Sequence, residues 1–91
     1  MKIYQSSLFA RKIKKFHHKQ KLILDKEISK IAKDPKIGTE KRGDLKGIFI
    51  HKFKINKQLY LLSYRKKNKD IELITIGSHE NYYRDLKSYL N

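Results

Sequence analysis

Apolar residues along the chain follow two different periods, and the change between them divides the sequence. In the first third they recur at helical spacing: Leu8, Phe9, Ile13 and Phe16, with Arg11, Lys12, Lys14 and Lys15 between them. Ser6 and Ser7 precede this run, and a seryl oxygen accepts an orphan backbone N–H at a helix start, so the first helix is expected to open there. His17 and His18 are expected near its end. A second helix is expected from about Lys19 to Lys33, with Leu24, Ile28, Ile31 and Ala32 as its apolar stripe. Pro35 stops it, because the residue before a proline is pushed out of helical geometry. So short a connection predicts an antiparallel helical hairpin. Lys2 to Gln5, ahead of it, read as a short opening strand.

Pro35 to Gly47 (PKIGTEKRGDLKG) carries three of the four glycines and reads as a connecting loop. After it the period becomes two. Phe49, His51, Phe53 and Ile55 fall on one face of a strand, and Ile48, Ile50, Lys52 and Lys54 on the other. Asn56-Lys57 suits a hairpin turn into a strand from Gln58 to about Arg65. Lys66 to Asp70 is a polar turn, Ile71 to Ile76 a third and strongly apolar strand, and Gly77 its expected end. Ser78 to Leu90 completes the chain as a C-terminal helix. The expected fold class is α+β: one domain over residues 1–91, an N-terminal α-hairpin packed on a small antiparallel β-sheet, in the order β-α-α-β-β-β-α.

Charge narrows the range of partners. Lys and Arg number 23 against 9 acidic residues, for a formal net charge of +14 in 91 residues. So basic a chain repels itself when compact, so the charge speaks of polyanionic partners, nucleic acid foremost, rather than of fold. With no cysteine, neither a disulfide framework nor a thiolate metal site is possible. The opening MKIYQSSLFARKIKK has no apolar core of a signal peptide, and no apolar run is long enough to span a bilayer. A soluble, cytoplasmic protein with no membrane partner is expected.

No glycine-rich phosphate loop is present, and the adjacent His17 and His18 do not share a helix face as metal ligands would, so no metal or cofactor is called for. Two basic and aromatic groups remain. Lys52 and Lys54 project from the same strand face beside Ile48 and Ile50, where the plainer alternative is a solvated outer face. GSHENYYR, Gly77 to Arg84, gathers His79, Tyr82, Tyr83 and Arg84 at an element boundary, which an ordinary polar junction would also explain.

The order of elements, DLKG (Asp44 to Gly47), Lys52-x-Lys54, LLSY ending at Tyr64 and IGSHENYYRDL (Ile76 to Leu86) together resemble the RelE/ParE toxins of type II toxin–antitoxin modules over nearly the whole chain. That resemblance implies a small basic toxin held inactive by a cognate antitoxin with an acidic toxin-binding segment. In its RelE-like branch it implies metal-independent cleavage of mRNA in the ribosomal A site by attack of a ribose 2′-OH on the adjacent phosphate. It assigns Lys52 and Lys54 to proton removal and phosphate stabilisation, His79 to the general acid or a phosphate contact, and Tyr83 to positioning or stacking a base. Arg65, Tyr82 and Arg84 follow as RNA or phosphate contacts. One position departs: Leu61 stands where RelE-type enzymes carry an arginine. Beside the mRNA interferase stand two other readings, a ParE-like inhibitor of DNA gyrase and a non-catalytic relative that only binds its antitoxin.

Overall fold

The computed structural model of the protein describes residues 1–78. Its elements are β1 (Ile3–Gln5), α1 (Ser7–Ile13), α2 (His18–Lys33), β2 (Thr39–Glu40), a 3-10 turn (Gly43–Leu45), β3 (Ile48–Ile55), β4 (Gln58–Lys67) and β5 (Asp70–Ser78). The strands form one sheet in the order β1-β5-β4-β3-β2. The α+β class and the expected succession of elements hold across these residues.

Local chemistry sets the boundaries. Ser6 caps α1, its Oγ accepting from the Phe9 N–H at 2.9 Å. The same hydroxyl donates to the Ile74 carbonyl, while the Ser6 N–H donates to Leu73 O at 2.9 Å. Residue 74 is where the β4–β5 ladder slips: Ser63 pairs with Thr75 and Tyr64 with Leu73, leaving Ile74 as the extra residue of a bulge. Ser6 thus pins the start of α1 to that irregularity. α1 closes at Ile13, earlier than the spacing through Phe16 suggests, and Phe16 packs edge-on against Tyr60 at 5.6 Å. His17 and His18 open α2 rather than end α1: Gln20 Oε1 accepts from the His17 N–H at 2.7 Å, satisfying one of the orphan donors at that start.

Two-residue loops join β3 to β4 and β4 to β5, with Asn56 (φ 58) and Asn68 (φ 61) in the left-handed region, which asparagine tolerates better than most side chains. Three further details depart from the sequence expectation. The sheet is mixed, because β1 lies parallel to β5, pairing Ile3 with Ile71 and Gln5 with Leu73. The Pro35–Gly47 loop contains the two-residue strand β2. Gly77 does not end β5; it pairs with Leu61 inside the ladder, since a strand with a partner tolerates one glycine. The C-terminal helix expected over residues 78–90 lies outside the described residues, except that Ser78 ends β5.

Both helices cover one face of the sheet. Phe9, Leu24 and Ile31 pack there against Phe53, Ile55, Leu62, Tyr64, Ile71, Leu73 and Ile76. The bulge explains how Leu73 and Ile76 can share a face: one extra residue inverts the alternation and turns Ile74 to the other side. The opposite face carries a second apolar cluster of Ile48, Ile50, Leu61 and Ile74, with Leu45 packed against it.

Tyr64, fully buried, ties the loop after α2 to the sheet. Its hydroxyl donates to Pro35 O at 2.8 Å and accepts from the Gly38 N–H at 3.0 Å. Gly38 has no room for a side chain, since a Cβ there would lie 2.9 Å from both Ile50 O and the Tyr64 hydroxyl. A polar clamp joins α2 to β3: His51 Nε2 lies 2.8 Å from Glu27 Oε1, in a nearly buried pair with side chains 11% and 12% exposed. An ionised carboxylate only accepts, so that ring nitrogen carries the proton. Burial works to raise the Glu27 pKa, but hydrogen bonds from His51 and Lys30, with their charge, outweigh it and hold the carboxyl below its ordinary value.

Candidate functional site

The alternation of β3 positions the candidate residues. Phe53 and Ile55 turn inward to the helices, so Lys52 and Lys54, between and beside them, must turn to the opposite face, where both are exposed. Two residues along a strand separate their Cα atoms by about 7 Å. Ile48 and Ile50 precede them on the same face, buried beneath Leu45.

The neighbouring strand supplies the floor. Leu61 lies directly across from Lys52, and Leu59 across from Lys54. Beyond Leu61 comes Gly77 of β5, where a side chain would meet nothing within 4 Å among the described residues. One row across the sheet therefore reads Lys52, Leu61, Gly77: a cation at the rim, a buried leucine in the middle and a bare backbone beyond. Leu61 is fully buried, so what this row presents outward is the exposed ammonium of Lys52. The resemblance places a cation at position 61; this chain has a fully buried leucine packed on Ile48, Ile50 and Ile74.

Arg65 shares the face of Lys52 and Lys54 but stands elsewhere on it. It pairs across β3 with Ile48, four residues along β4 from Leu61, roughly 13 Å away. Its Nε donates to Glu72 Oε1 at 2.6 Å. The structure thus brings Lys52 and Lys54 together and holds Arg65 apart from them in an ion pair. His79, Tyr82, Tyr83 and Arg84 lie outside the described residues. Ser78, which pairs with Tyr60 beside the Lys52 row, is the last residue before them.

The Pro35–Gly47 loop borders this face and packs onto it, beyond the connecting role its sequence suggests. Leu45 folds it onto the second apolar cluster, and the Lys41 N–H donates to Ile48 O at 2.8 Å. Gly43 (φ 71) and Gly47 (φ 88) adopt left-handed conformations that let the chain turn twice within it. Glu40, Lys41, Arg42, Gly43 and Lys46 line a shallow hollow on the loop. The available signal was DLKG itself, where an apolar Leu45 stands between polar neighbours and two glycines. No helix among the described residues is long and apolar enough to cross a membrane.

A two-helix layer on one face of a five-stranded mixed sheet, with a basic and apolar opposite face, defines a small basic α+β domain. Residues 3–87 match the family of ParE-like toxins of type II bacterial toxin–antitoxin systems, and the chain belongs to that family. No curated protein matches it. Among solved structures it is similar to the toxin in the intact E. coli RelBE toxin–antitoxin complex: TM-score 0.68, 18% identity, 86% of this chain and 95% of that one covered. The isolated E. coli RelE toxin is similar with TM-score 0.65 and 18% identity, over 94% of this chain and 95% of that one. At such identity the likeness is one of fold. The protein is therefore a toxin of a type II toxin–antitoxin system with the RelE/ParE fold.

Proposed function

We propose that the toxin is a ribosome-dependent endoribonuclease that cleaves mRNA in the A site and so inhibits translation. The observation that carries this reading is the joint projection of Lys52 and Lys54, two residues apart and both exposed, from one face of β3. In the reaction the ribose 2′-oxygen forms a bond to the adjacent phosphorus and the bond from phosphorus to the 5′-oxygen breaks. The products are a 2′,3′-cyclic phosphate and a 5′-hydroxyl. A base must take the 2′ proton, cations must stabilise the charge building on the phosphoryl oxygens, and an acid must protonate the leaving oxygen. Lys52 and Lys54 serve the first two needs. His79, one residue beyond β5, serves the third, with Tyr83 stacking a base and Tyr82 and Arg84 contacting RNA. Arg65 joins as a phosphate ligand only at the margin, and only by exchanging its partner Glu72 for RNA. The fold similarity to RelE supports the same assignment, and the net charge of +14 suits a polyanionic target. Its cognate partner is an antitoxin with an acidic toxin-binding segment, as the similarity to RelBE suggests.

The test is cleavage mapping of an mRNA in cell-free translation, with and without ribosomes, comparing wild type with Lys52→Ala/Lys54→Ala and with His79→Ala. Ribosome-dependent cuts with 2′,3′-cyclic ends, lost in both variants, are expected. Intact mRNA with wild-type protein would overturn the reading.

One observation favours a second reading. Leu61 is sealed into an apolar cluster and supplies no charge where a phosphoryl group would need it. A ParE-like inhibitor of DNA gyrase, which binds without hydrolysing, has no need of that cation. Gyrase-dependent DNA breaks with mRNA left intact would decide for it.

A further inference from the structure

The helix-side face of β3 is apolar at every position but one. Phe49, Phe53 and Ile55 share it with His51, which, hydroxyl residues aside, is the only polar side chain buried among the described residues. An aliphatic side chain would fill that place without giving up any bond to water. Replacing a buried polar pair by apolar residues of similar volume is often neutral or stabilising, so stability is a weak reason for a histidine and a glutamate to meet here. What the pair adds is direction. Apolar packing is non-directional and tolerates a shift of one element along another, whereas a hydrogen bond at 2.8 Å admits one alignment.

Each member of the pair is held from its own side. Glu27 Oε2 accepts from Lys30 Nζ at 3.0 Å, three residues further along α2, which leaves Oε1 to His51. The His51 ring stacks on Phe53 at 5.8 Å and Phe53 on Tyr60 at 6.2 Å, and Tyr60 meets Phe16, between the two helices, at 5.6 Å. Lys52 stands between His51 and Phe53 in sequence and turns to the opposite face. This half of β3 has little else to fix it. β2 pairs only with Phe49 and Ile50, so from Lys52 to Ile55 the strand has a neighbour, among the described residues, on the β4 side alone.

We infer that Glu27 and His51 are a positioning pair: their hydrogen bond sets the register of β3 against α2, and with it where Lys52 and Lys54 stand on the other face of the sheet. That the two lysines act on RNA rests on the function proposed above; that the pair sets the register does not. A displacement of about 1 Å at a reacting group can cost about a hundredfold in rate, so the pair governs cleavage without touching RNA.

Two variants separate positioning from stability. Glu27→Met/His51→Leu replaces the pair by apolar side chains of similar size, and its Tm is expected to fall by no more than about 3 °C. Lys30, whose side chain is 57% exposed, keeps its access to water. Glu27→Gln gives up charge and stability but keeps an oxygen that accepts from the His51 N–H. The order of activity is then opposite to the order of stability. In cell-free translation with saturating ribosomes, the apolar variant is expected to cleave mRNA at least about tenfold more slowly, its half-saturating ribosome concentration unchanged, while Glu27→Gln stays within about twofold of wild type. A clamp that served stability alone would give the two orders the same sense.

The register is read without RNA by amide hydrogen exchange in the full-length, isotope-labelled protein. Ile48 O bonds outward to Lys41 and backbone groups alternate along a strand, so the Phe53 and Ile55 amides face β4. In the apolar variant these two are expected to exchange about tenfold faster relative to the amides of β5; in Glu27→Gln that ratio keeps its wild-type value. An unchanged ratio in the apolar variant would overturn the inference, as would a Glu27→Gln protein that cuts as slowly as the apolar one. Wild-type protein that cuts no mRNA sinks the nuclease reading alone, and the exchange ratios then decide this inference by themselves.

Discussion

Replacing Tyr64 with phenylalanine isolates one oxygen atom. The ring stays where it is, stacked on Phe49 at 5.5 Å and packed in the helix-side core, so no cavity opens. What disappears is the hydroxyl that donates to Pro35 O at 2.8 Å and accepts from Gly38 N at 3.0 Å. Burial pushes the phenol's pKa up, so it remains a donor at any neutral pH. Stranding two partly buried backbone groups costs about 2 kcal/mol, because water reaches each only in part. In a chain of 91 residues that loss is expected to lower Tm by about 8–16 °C. Thermal unfolding followed by circular dichroism measures it. A double-mutant cycle with Gly38→Ala sharpens the test: the added Cβ would meet Ile50 O and the Tyr64 hydroxyl, both at 2.9 Å, and Tyr64→Phe removes the second of those obstacles. The two changes together must therefore cost less than the sum of each alone. A Tm drop below about 3 °C for Tyr64→Phe, or strict additivity in the cycle, would refute the idea that this hydroxyl fastens the loop.

Glu27→Gln tests the clamp between α2 and β3. Its folded-state pKa is lowered from 4.5, so its stabilisation is complete above that ordinary value and is lost as pH falls through the folded one. The Tm gap between wild type and variant is thus expected to be widest near neutrality and to shrink as pH falls below 4.5; a gap that stays constant into strongly acidic solution would contradict the assignment. Ser6→Ala removes both the cap of α1 and the bond to the bulge carbonyl of Ile74, and is expected to cost about 1–2 kcal/mol by denaturant titration. Leu61→Arg restores the residue the resemblance expects there but sets a guanidinium into the cluster of Ile48, Ile50 and Ile74. A loss of about 3 kcal/mol or more is expected, and a variant as stable as wild type would mean that the face opens to solvent at Leu61.

The strands and helices were legible because their periods are local. Alternation in Ile48 to Ile55 is enough to separate Lys52 and Lys54 from Phe53 and Ile55, and the observed faces agree. What escaped the sequence depends on contacts between distant residues. β2 exists because Tyr64, 26 residues from Gly38, holds the loop against β3; TE has no strand signal of its own. β1 runs parallel because its neighbour is β5, more than sixty residues later, and three residues carry no mark of direction. The bulge falls at the adjacent apolar pair Leu73-Ile74, between Glu72 and Thr75, and which of the two faces the helices is decided only by pairing with β4. His17 and His18 were misplaced for a different reason: a capping bond from Gln20 decides which helix they join, and histidine is not among the usual N-cap residues.

Leu61 bears on the proposed mechanism because it lies across from Lys52 on the same face of the sheet. A lysine across from a leucine is a poor arrangement for holding a phosphate unaided, since one ammonium offers a point charge where a guanidinium would offer a planar fork. The deficit has to be met by charge that arrives at the same face: from Lys54 on the next outward position, and from cations borne by the partners in an assembled site. A ribosome-dependent enzyme meets that condition naturally, because its substrate is presented already positioned, and position supplies much of what a local cation otherwise would. The same reasoning predicts negligible cleavage of free RNA by this chain, so rapid cutting without ribosomes would show that Lys52 and Lys54 suffice without cations supplied by a partner.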